Sequence, residues 1–295
     1  MMNRAEVLTE ALPYIEEFHG SYVVIKYGGH AMLNDELMDT TIRDSILLKY
    51  VGMKPIIVHG GGPEITSAMA KFGKKAEFIE GLRITDAETL DITKMVLVGK
   101  INTDIVSRIN KFGGKGIGLS GKDGKFIMAK KKSSHKVTRG GVEHEVDLGF
   151  VGEVERINPE VLEILTDRDY IPVISPIGMT ADGQGFNINS DTVAGDIAAA
   201  IGAKKLIVLT DVDGVLRDTS DKASLIKRLI PEDVAELKEQ GVIAGSMIPK
   251  VDACVAAVNQ GVEKTHIING SMSHSILLEL FTDEGIGTMI TEKRI

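Results

Sequence analysis

An apolar run, a glycine turn and a helix-forming stretch recur along this chain, and that alternation limits the possible fold more than any other feature. "YVVIKYGG" reads as a buried strand and turn leading into "LNDELMDTTIRDSILLKYVG", a helix closed by Gly52. "KPIIVHGGGP" and "EITSAMAKFG" repeat the pattern, and Pro63 suits the first helical turn, where its missing N–H costs nothing. Further buried strands are expected at "YIPVISPIG", "KKLIVLTDVDGVL" and "THIINGS", and helices at "SDTVAGDIAAAIG", "PKVDACVAAVNQG" and "SILLELFTDEGIG". Apolar strands joined through helices predict an α/β fold whose mainly parallel sheet is covered on both faces. Residues 111–151 break the rhythm: an Asp-Gly hairpin is expected inside "GIGLSGKDGKFIMAKKK", with antiparallel strands at an edge or over a site. Ahead of the first strand, Val7, Leu8, Leu12, Ile15 and Phe18 fall at helical spacing, with Pro13 placed to kink or interrupt the helix. That helix packs either on its own domain or on another subunit.

With 43% hydrophobic residues in 295, the chain can bury a sizeable core as one large domain or two smaller ones. Its net charge of -8 argues against a general nucleic-acid binder, and the short basic cluster "AKKKSSHK" has no aromatic partners. No stretch reads as a membrane span, and the mixed, acidic N-terminus does not read as a signal peptide, so a cytoplasmic protein is expected. The single cysteine, Cys254, excludes an internal disulfide and a cysteine metal cluster; it shares a helix face with Val251, Val255 and Val258, which fits packing.

In open sheets of this kind, ligands bind beyond the carboxyl ends of the strands, where the polar motifs of this chain also fall. "HGGGP", from His59 to Pro63, can present several backbone N–H groups to an anion, or it can simply form a tight turn. No Cys/His/Asp pattern near His59 supports a metal ligand. Neither "GKDG" nor "GGKG" matches the G-x-x-x-x-G-K-[ST] phosphate loop, and "KYGGHA" is not G-x-G-x-x-G. Phosphate would have to be held another way, and Lys26 and Lys250 offer one. Lys26 ends the first strand, while Lys250 opens a helix just after Pro249. A cation there faces an unfavourable dipole unless an anion is supplied, so a bound phosphate and a solvated ammonium are the two readings. In "GFNINSDTVAG", Asn187 and Asn189 point the same way along an extended backbone, with Ser190 or Asp191 expected as the cap of the next helix. Asp211 and Asp213 follow a very apolar strand and can order a turn, orient lysines or approach a nucleotide and metal. Arg83, in "GLRITD", has a fork suited to a carboxylate, or is a surface arginine.

In their order and spacing, "VIKYGGHAM", "VHGGGP", "GLRITD", "LVGKIN", "FNINSD", "LTDVDGVL", "GSMIPKV" and "LLELFTDEGIGTMI" resemble the acetylglutamate kinases of the amino-acid kinase family over essentially the whole chain. The resemblance implies a three-layer αβα sandwich: an oligomerisation helix (residues 1–20), an acetylglutamate-binding lobe (21–180) and an ATP-binding lobe (181–295). It implies ATP-dependent phosphorylation of the side-chain carboxylate of N-acetyl-L-glutamate, giving N-acetyl-L-glutamyl 5-phosphate in arginine biosynthesis. Carried onto this chain, Lys26 and Lys250 would stabilise the transferring phosphoryl and Asp191 would orient them. Gly61, Gly62, Arg83, Asn187 and Asn189 would hold acetylglutamate. Gly28 and Gly29 would contact the phosphates, and Thr210, Asp211, Gly245 and Met247 would lie near ATP. Mg2+ would bind mainly through the nucleotide, with no protein metal site. The kinked N-terminal helix resembles that of the arginine-inhibited hexamers, built as trimers of dimers, with Tyr14, His266, Glu279 and Gly287 in the effector region. No feature here establishes contact with a PII-type signalling protein, a nucleic acid or a membrane. "NINSD" replaces the commoner "NINAD", and His30 has no assigned role. The competing readings are another amino-acid kinase, against which "GLRITD" argues, and a non-catalytic ligand sensor, against which the retention of Lys26, Lys250 and Asp191 argues.

Overall fold

Pro13 shapes the first element of the computed structural model, which describes residues 9–28, 32, 34–79, 81–133, 135–139, 142–283 and 285–292. Thr9 and Glu10 are helical, the chain turns at Ala11, and α1 (Leu12–Phe18) carries the proline in its first turn. The helix is thus interrupted where expected; Val7 and Leu8, like Gly29 and His30, lie outside the described residues. Phe18 is buried against the domain's own core, whereas Leu12 is exposed.

Strand β1 (Tyr22–Tyr27) then leads to α2 (Asp35–Tyr50), whose cap, Asn34, accepts hydrogen bonds from the Glu36 and Leu37 N–H groups. After β2 (Lys54–His59) and α3 (Gly62–Lys71) comes a short hairpin, β3 (Phe78–Ile79) and β4 (Leu82–Arg83). Helix α4 (Ala87–Lys94) runs through a π-helical stretch, Met95–Asn102, into α5 (Thr103–Lys111). Strands β5 (Gly116–Ser120), β6 (Ile127–Lys131), β7 (His135–Arg139), β8 (Val142–Val146) and β9 (Gly152–Ile157) follow. Next are α6 (Glu160–Asp167), β10 (Ile171–Ser175), β11 (Ile177–Met179), β12 (Gly185–Asn187), α7 (Ser190–Ala200) and β13 (Lys205–Thr210). The chain closes with β14 (Arg228–Leu229), α8 (Pro231–Glu239), α9 (Met247–Asn259), β15 (Lys264–Asn269), α10 (Ser275–Leu280) and β16 (Thr288–Thr291).

Eight strands form the central sheet in the order β14-β16-β15-β13-β1-β2-β10-β5, parallel throughout except between β15 and β16. Alternate residues of β1 feed opposite faces: Val23, Ile25 and Tyr27 join a core with α2, α3, α5 and α10, while Val24 joins one with α7 and α9. The result is a three-layer αβα sandwich. A second sheet, β12-β11-β6-β9, packs Phe126, Ile127, Ala129 and Phe186 against α7 on the second face. Strand order reverses at β1, which has β2 on one side and β13 on the other, so a crevice opens at the carboxyl ends there.

The Asp-Gly segment does not form the expected hairpin. β5 pairs in parallel with β10 in the central sheet, while β6 pairs with β9 and β11 in the smaller one. The Asp123 carboxylate accepts from the Ser120 N–H (2.6 Å) and hydroxyl (3.0 Å), and so fixes a corner that hands the chain from one sheet to the other. The antiparallel pairs of this region are β6 with β9 and β7 with β8. Among the described residues, no helix is long and apolar enough to cross a membrane.

Candidate active site

Lys26 shares the face of Val24, so its side chain leaves β1 toward the N-terminus of α7. There its Nζ lies 3.0 Å from Asp191 Oδ1, and Lys250 Nζ lies 3.4 Å from Asp191 Oδ2. Lys250 comes from the first turn of α9, which crosses α7 at Gly195; a Cβ on that glycine would stand 3.0 Å from the Ala253 carbonyl. Burial pushes the Asp191 carboxyl upward, but the Lys26 and Lys250 ammonium groups together outweigh it and hold Asp191 below the usual carboxylate range. One carboxylate between two ammonium groups leaves a surplus positive charge at the crevice. Gly28 is part of the same arrangement, since a Cβ there would sit 2.6 Å from Lys26 Nζ. The glycine lets the ammonium fold back over the backbone.

The cap of α7 is Asn189, rather than Ser190 or Asp191: its Oδ1 accepts from the Asp191 N–H at 2.8 Å and the Thr192 N–H at 3.1 Å. Asn189 adopts the extended backbone that a cap requires, and this releases the Asp191 side chain to the lysines.

Beside the lysines lies a cleft of about 160 Å³, lined by Gly60, Gly61, Gly62, Arg83, Asn187, Asn189 and Ser190, with Ile65, Leu82, Leu97 and Ile188 as apolar walls. All five residues assigned from sequence to the acceptor therefore meet in one place. Gly61 is required by packing, because a Cβ would come within 2.4 Å of Ile101 and 2.8 Å of Leu97 on the π-helical stretch. No side chain caps α3, whose N-terminus opens on the cleft. Arg83 is no surface arginine: only 7% of it is exposed. Its Nη2 donates to the Gly62 carbonyl at 2.9 Å and the Thr66 hydroxyl at 2.8 Å, and the guanidinium stacks 4.5 Å from the Phe78 ring centroid. Among the described residues it has no carboxylate partner; burial pushes its pKa down, so an anion in the cleft would stabilise its charge. The Asn187 N–H is used by the Phe150 carbonyl at 2.9 Å, while its side-chain amide has no partner among the described residues.

His59 is held neutral, pushed down to about 4 by burial. Its Nδ1 donates to the Gly60 carbonyl at 2.8 Å, and Nε2 faces the Ser175 hydroxyl at 3.0 Å and the Asn102 amide at 3.3 Å. It is a core brace for the glycine turn. Thr210, whose hydroxyl donates to Asp211 at 3.2 Å, and Asp211 stand at the carboxyl end of β13. Asp213 accepts from the Asn269 amide at 2.7 Å and pairs with Lys222 at 3.4 Å, so it orders the turn beyond that strand. Gly245, at φ 54°, and Met247 lead into α9, whose N-terminus has no side-chain cap. Among the described residues, no cluster of three His, Cys, Asp or Glu side chains could hold a metal ion.

Tyr14, His266, Glu279 and Gly287 line a separate cavity of about 450 Å³. Glu279 accepts from His266 Nδ1 at 2.5 Å, the Ile286 N–H at 2.7 Å and the Gly287 N–H at 3.1 Å, and the Tyr14 hydroxyl donates to Asp283. Sequence reading overlooked Lys205 here: it is buried, pushed down to about 8 by desolvation, and lies 4.4 Å from the Phe18 ring centroid. It also overlooked Gly60 and Ser190 in the first cleft, although both stand inside the quoted motifs.

Comparison with known proteins shows the family. Residues 21–269 match the Amino acid kinase family. The acetylglutamate kinase of Methanococcoides burtonii is 59% identical over 287 residues, covering 97% of this chain and 94% of that protein. That of Methanothermobacter thermautotrophicus is 56% identical over 293 residues, covering 99% and 100%. Among solved structures, N-acetylglutamate synthase from Neisseria gonorrhoeae, complexed with coenzyme A and N-acetyl-glutamate, superposes with a TM-score of 0.84 at 24% identity. This chain aligns over 99% of its own length but spans 64% of that synthase, so the likeness is one of fold. The chain belongs to the amino acid kinase family, and within it to the acetylglutamate kinases.

Proposed function

We propose that this chain transfers the terminal phosphoryl group of ATP to the side-chain carboxylate of N-acetyl-L-glutamate, releasing ADP and N-acetyl-L-glutamyl 5-phosphate for arginine biosynthesis. The observation that carries the reading is one buried carboxylate, Asp191, holding both Lys26 and Lys250 beside a cleft whose one buried cation, among the described residues, is Arg83. An ionised carboxylate has no proton to remove, so the reaction needs no general base. It needs two anions aligned and their charge compensated, which lysines and backbone N–H groups supply.

In this reading Arg83 pairs with the α-carboxylate, while Asn187, Gly61 and Gly62 fix the rest of the acceptor. Asn189 acts through the α7 cap. Lys26 and Lys250 meet the transferring phosphoryl, and Gly28 and Gly29 flank the phosphates. Thr210, Asp211, Gly245 and Met247 border the nucleotide. The donor set suits magnesium carried on the ATP phosphates, where it offsets their charge. The acceptor is then held by residues 21–180, the nucleotide by residues 181–295, and the N-terminal segment, residues 1–20, serves a hexamer of three dimers. Arginine in the second cavity acts as feedback inhibitor, and the enzyme works in the cytoplasm.

Steady-state kinetics of Lys26→Ala and Lys250→Ala test the site. Each should lower kcat by roughly a hundredfold or more while the protein stays folded. Near-normal turnover by either variant would remove that lysine from the reaction. Activity on aspartate, glutamate or carbamate in preference to acetylglutamate would reassign the acceptor.

A further inference from the structure

We infer that the Ser190 hydroxyl contacts the acceptor during transfer and holds the oxygen of the reacting carboxylate that does not attack phosphorus. The inference rests on the kinase reading above and adds a residue to it.

Ser190 lines the cleft that contains Arg83 and Asn187. Its Oγ lies 3.3 Å from the point where a Gly60 side chain would begin. Gly60 in turn donates its N–H to the Tyr27 carbonyl at 2.8 Å, which places it where β1 and β2 end, one residue past Lys26 along β1. The hydroxyl therefore stands at the junction between the cleft and the lysine pair, immediately before Asp191 in the chain. Structural duties for a hydroxyl at the first helical position are capping or bonding back to a nearby carbonyl. The cap of α7 is Asn189, and the Ser190 hydroxyl has no hydrogen-bond partner among the described residues. A half-buried donor without a partner among the described residues, lining a cleft that also holds the Arg83 guanidinium, is matched by a carboxylate oxygen.

In the step itself, one acceptor oxygen forms a bond to the terminal phosphorus. The bond from phosphorus to the bridging oxygen of ATP breaks, and ADP leaves with that electron pair. Ser190 keeps its proton throughout. By donating to the second carboxylate oxygen it turns the first toward phosphorus, which is a positioning effect.

Two variants test this. Ser190→Ala removes the donor, and Ser190→Cys keeps the shape with a much weaker one. Both should lower kcat/KM for acetylglutamate roughly three- to tenfold, with KM for ATP and the melting temperature unchanged. A helix-building role would instead move both substrates and the melting temperature together, and that pattern overturns the inference. So does wild-type kcat/KM in either variant. If the wild-type enzyme itself fails to phosphorylate acetylglutamate, the kinase reading falls and this inference with it; wild-type turnover with an unaffected Ser190→Ala refutes the Ser190 assignment alone.

Discussion

Buried between β2, β10 and the π-helical stretch, His59 shows how a polar residue beside an active site can serve structure and still leave a measurable signature. Its folded pKa, near 4, lies below the value of about 6.5 for a free imidazole. The unfolded chain therefore binds a proton on His59 before the folded one does. Stability from this residue is fully present above pH 6.5 and is lost as pH falls through 4, by about 3 kcal/mol in total. Urea unfolding across that range should be less steeply pH-dependent in His59→Gln than in the wild type, whatever the variant's absolute stability. Equal slopes would mean that the imidazole is already charged in the fold. "HGGGP" gave no means of choosing between a ligand and a brace, because the deciding partners, Ser175 and Asn102, come from distant elements. The same holds for Arg83, which is buried only once α3 and β3 are in place. At Asn189, Ser190 and Asp191 three good capping residues stand in a row, and only the backbone angles decide among them.

At the scale of elements, the two polar walls of the proposed acceptor cleft are joined by a loop far from both in sequence. The Thr85 N–H donates to the Leu148 carbonyl at 2.9 Å, the Phe150 N–H to the Thr85 carbonyl at 2.6 Å, and the Asn187 N–H to the Phe150 carbonyl at 2.9 Å. Residues 148–150 thus splint the strand of Arg83 to the strand of Asn187. Gly149 permits it, with φ 74° and a missing Cβ that would otherwise stand 2.3 Å from the Thr85 carbonyl. Gly149→Ala should raise KM for acetylglutamate roughly tenfold, leave KM for ATP unchanged, and destabilise the fold by about 1–2 kcal/mol. Initial-rate kinetics with each substrate varied, together with a melting curve, check this; a change confined to ATP would show that the splint serves another site. Strand and helix identities were legible because period and turn residues are local. The Asp-Gly hairpin misled because the partner of β5 is β10, beyond the reach of any turn rule.

For the whole molecule, the N-terminal helix and the end of the chain meet at the second cavity, where the Tyr14 hydroxyl reaches Asp283 and Glu279 anchors the Ile286 and Gly287 backbone. This cavity shares no lining residue with the proposed acceptor cleft, so an effector bound there would act through the arrangement of elements or subunits. Millimolar arginine should inhibit the enzyme, and Tyr14→Phe should shift the inhibition curve to higher arginine several-fold without altering the uninhibited rate. Full activity over the whole titration would remove the effector role. The sequence motifs pointed to both groups of residues; their separation in space depends on strand order. That order has a consequence for biosynthesis of the enzyme itself. Lys26 on β1 is synthesised well before Lys250 on α9, and the carboxylate that unites them emerges between the two. A nascent chain can form half the sheet and still lack its second ammonium, so the lysine pair around Asp191 is complete only once α9 has been made and packed on α7.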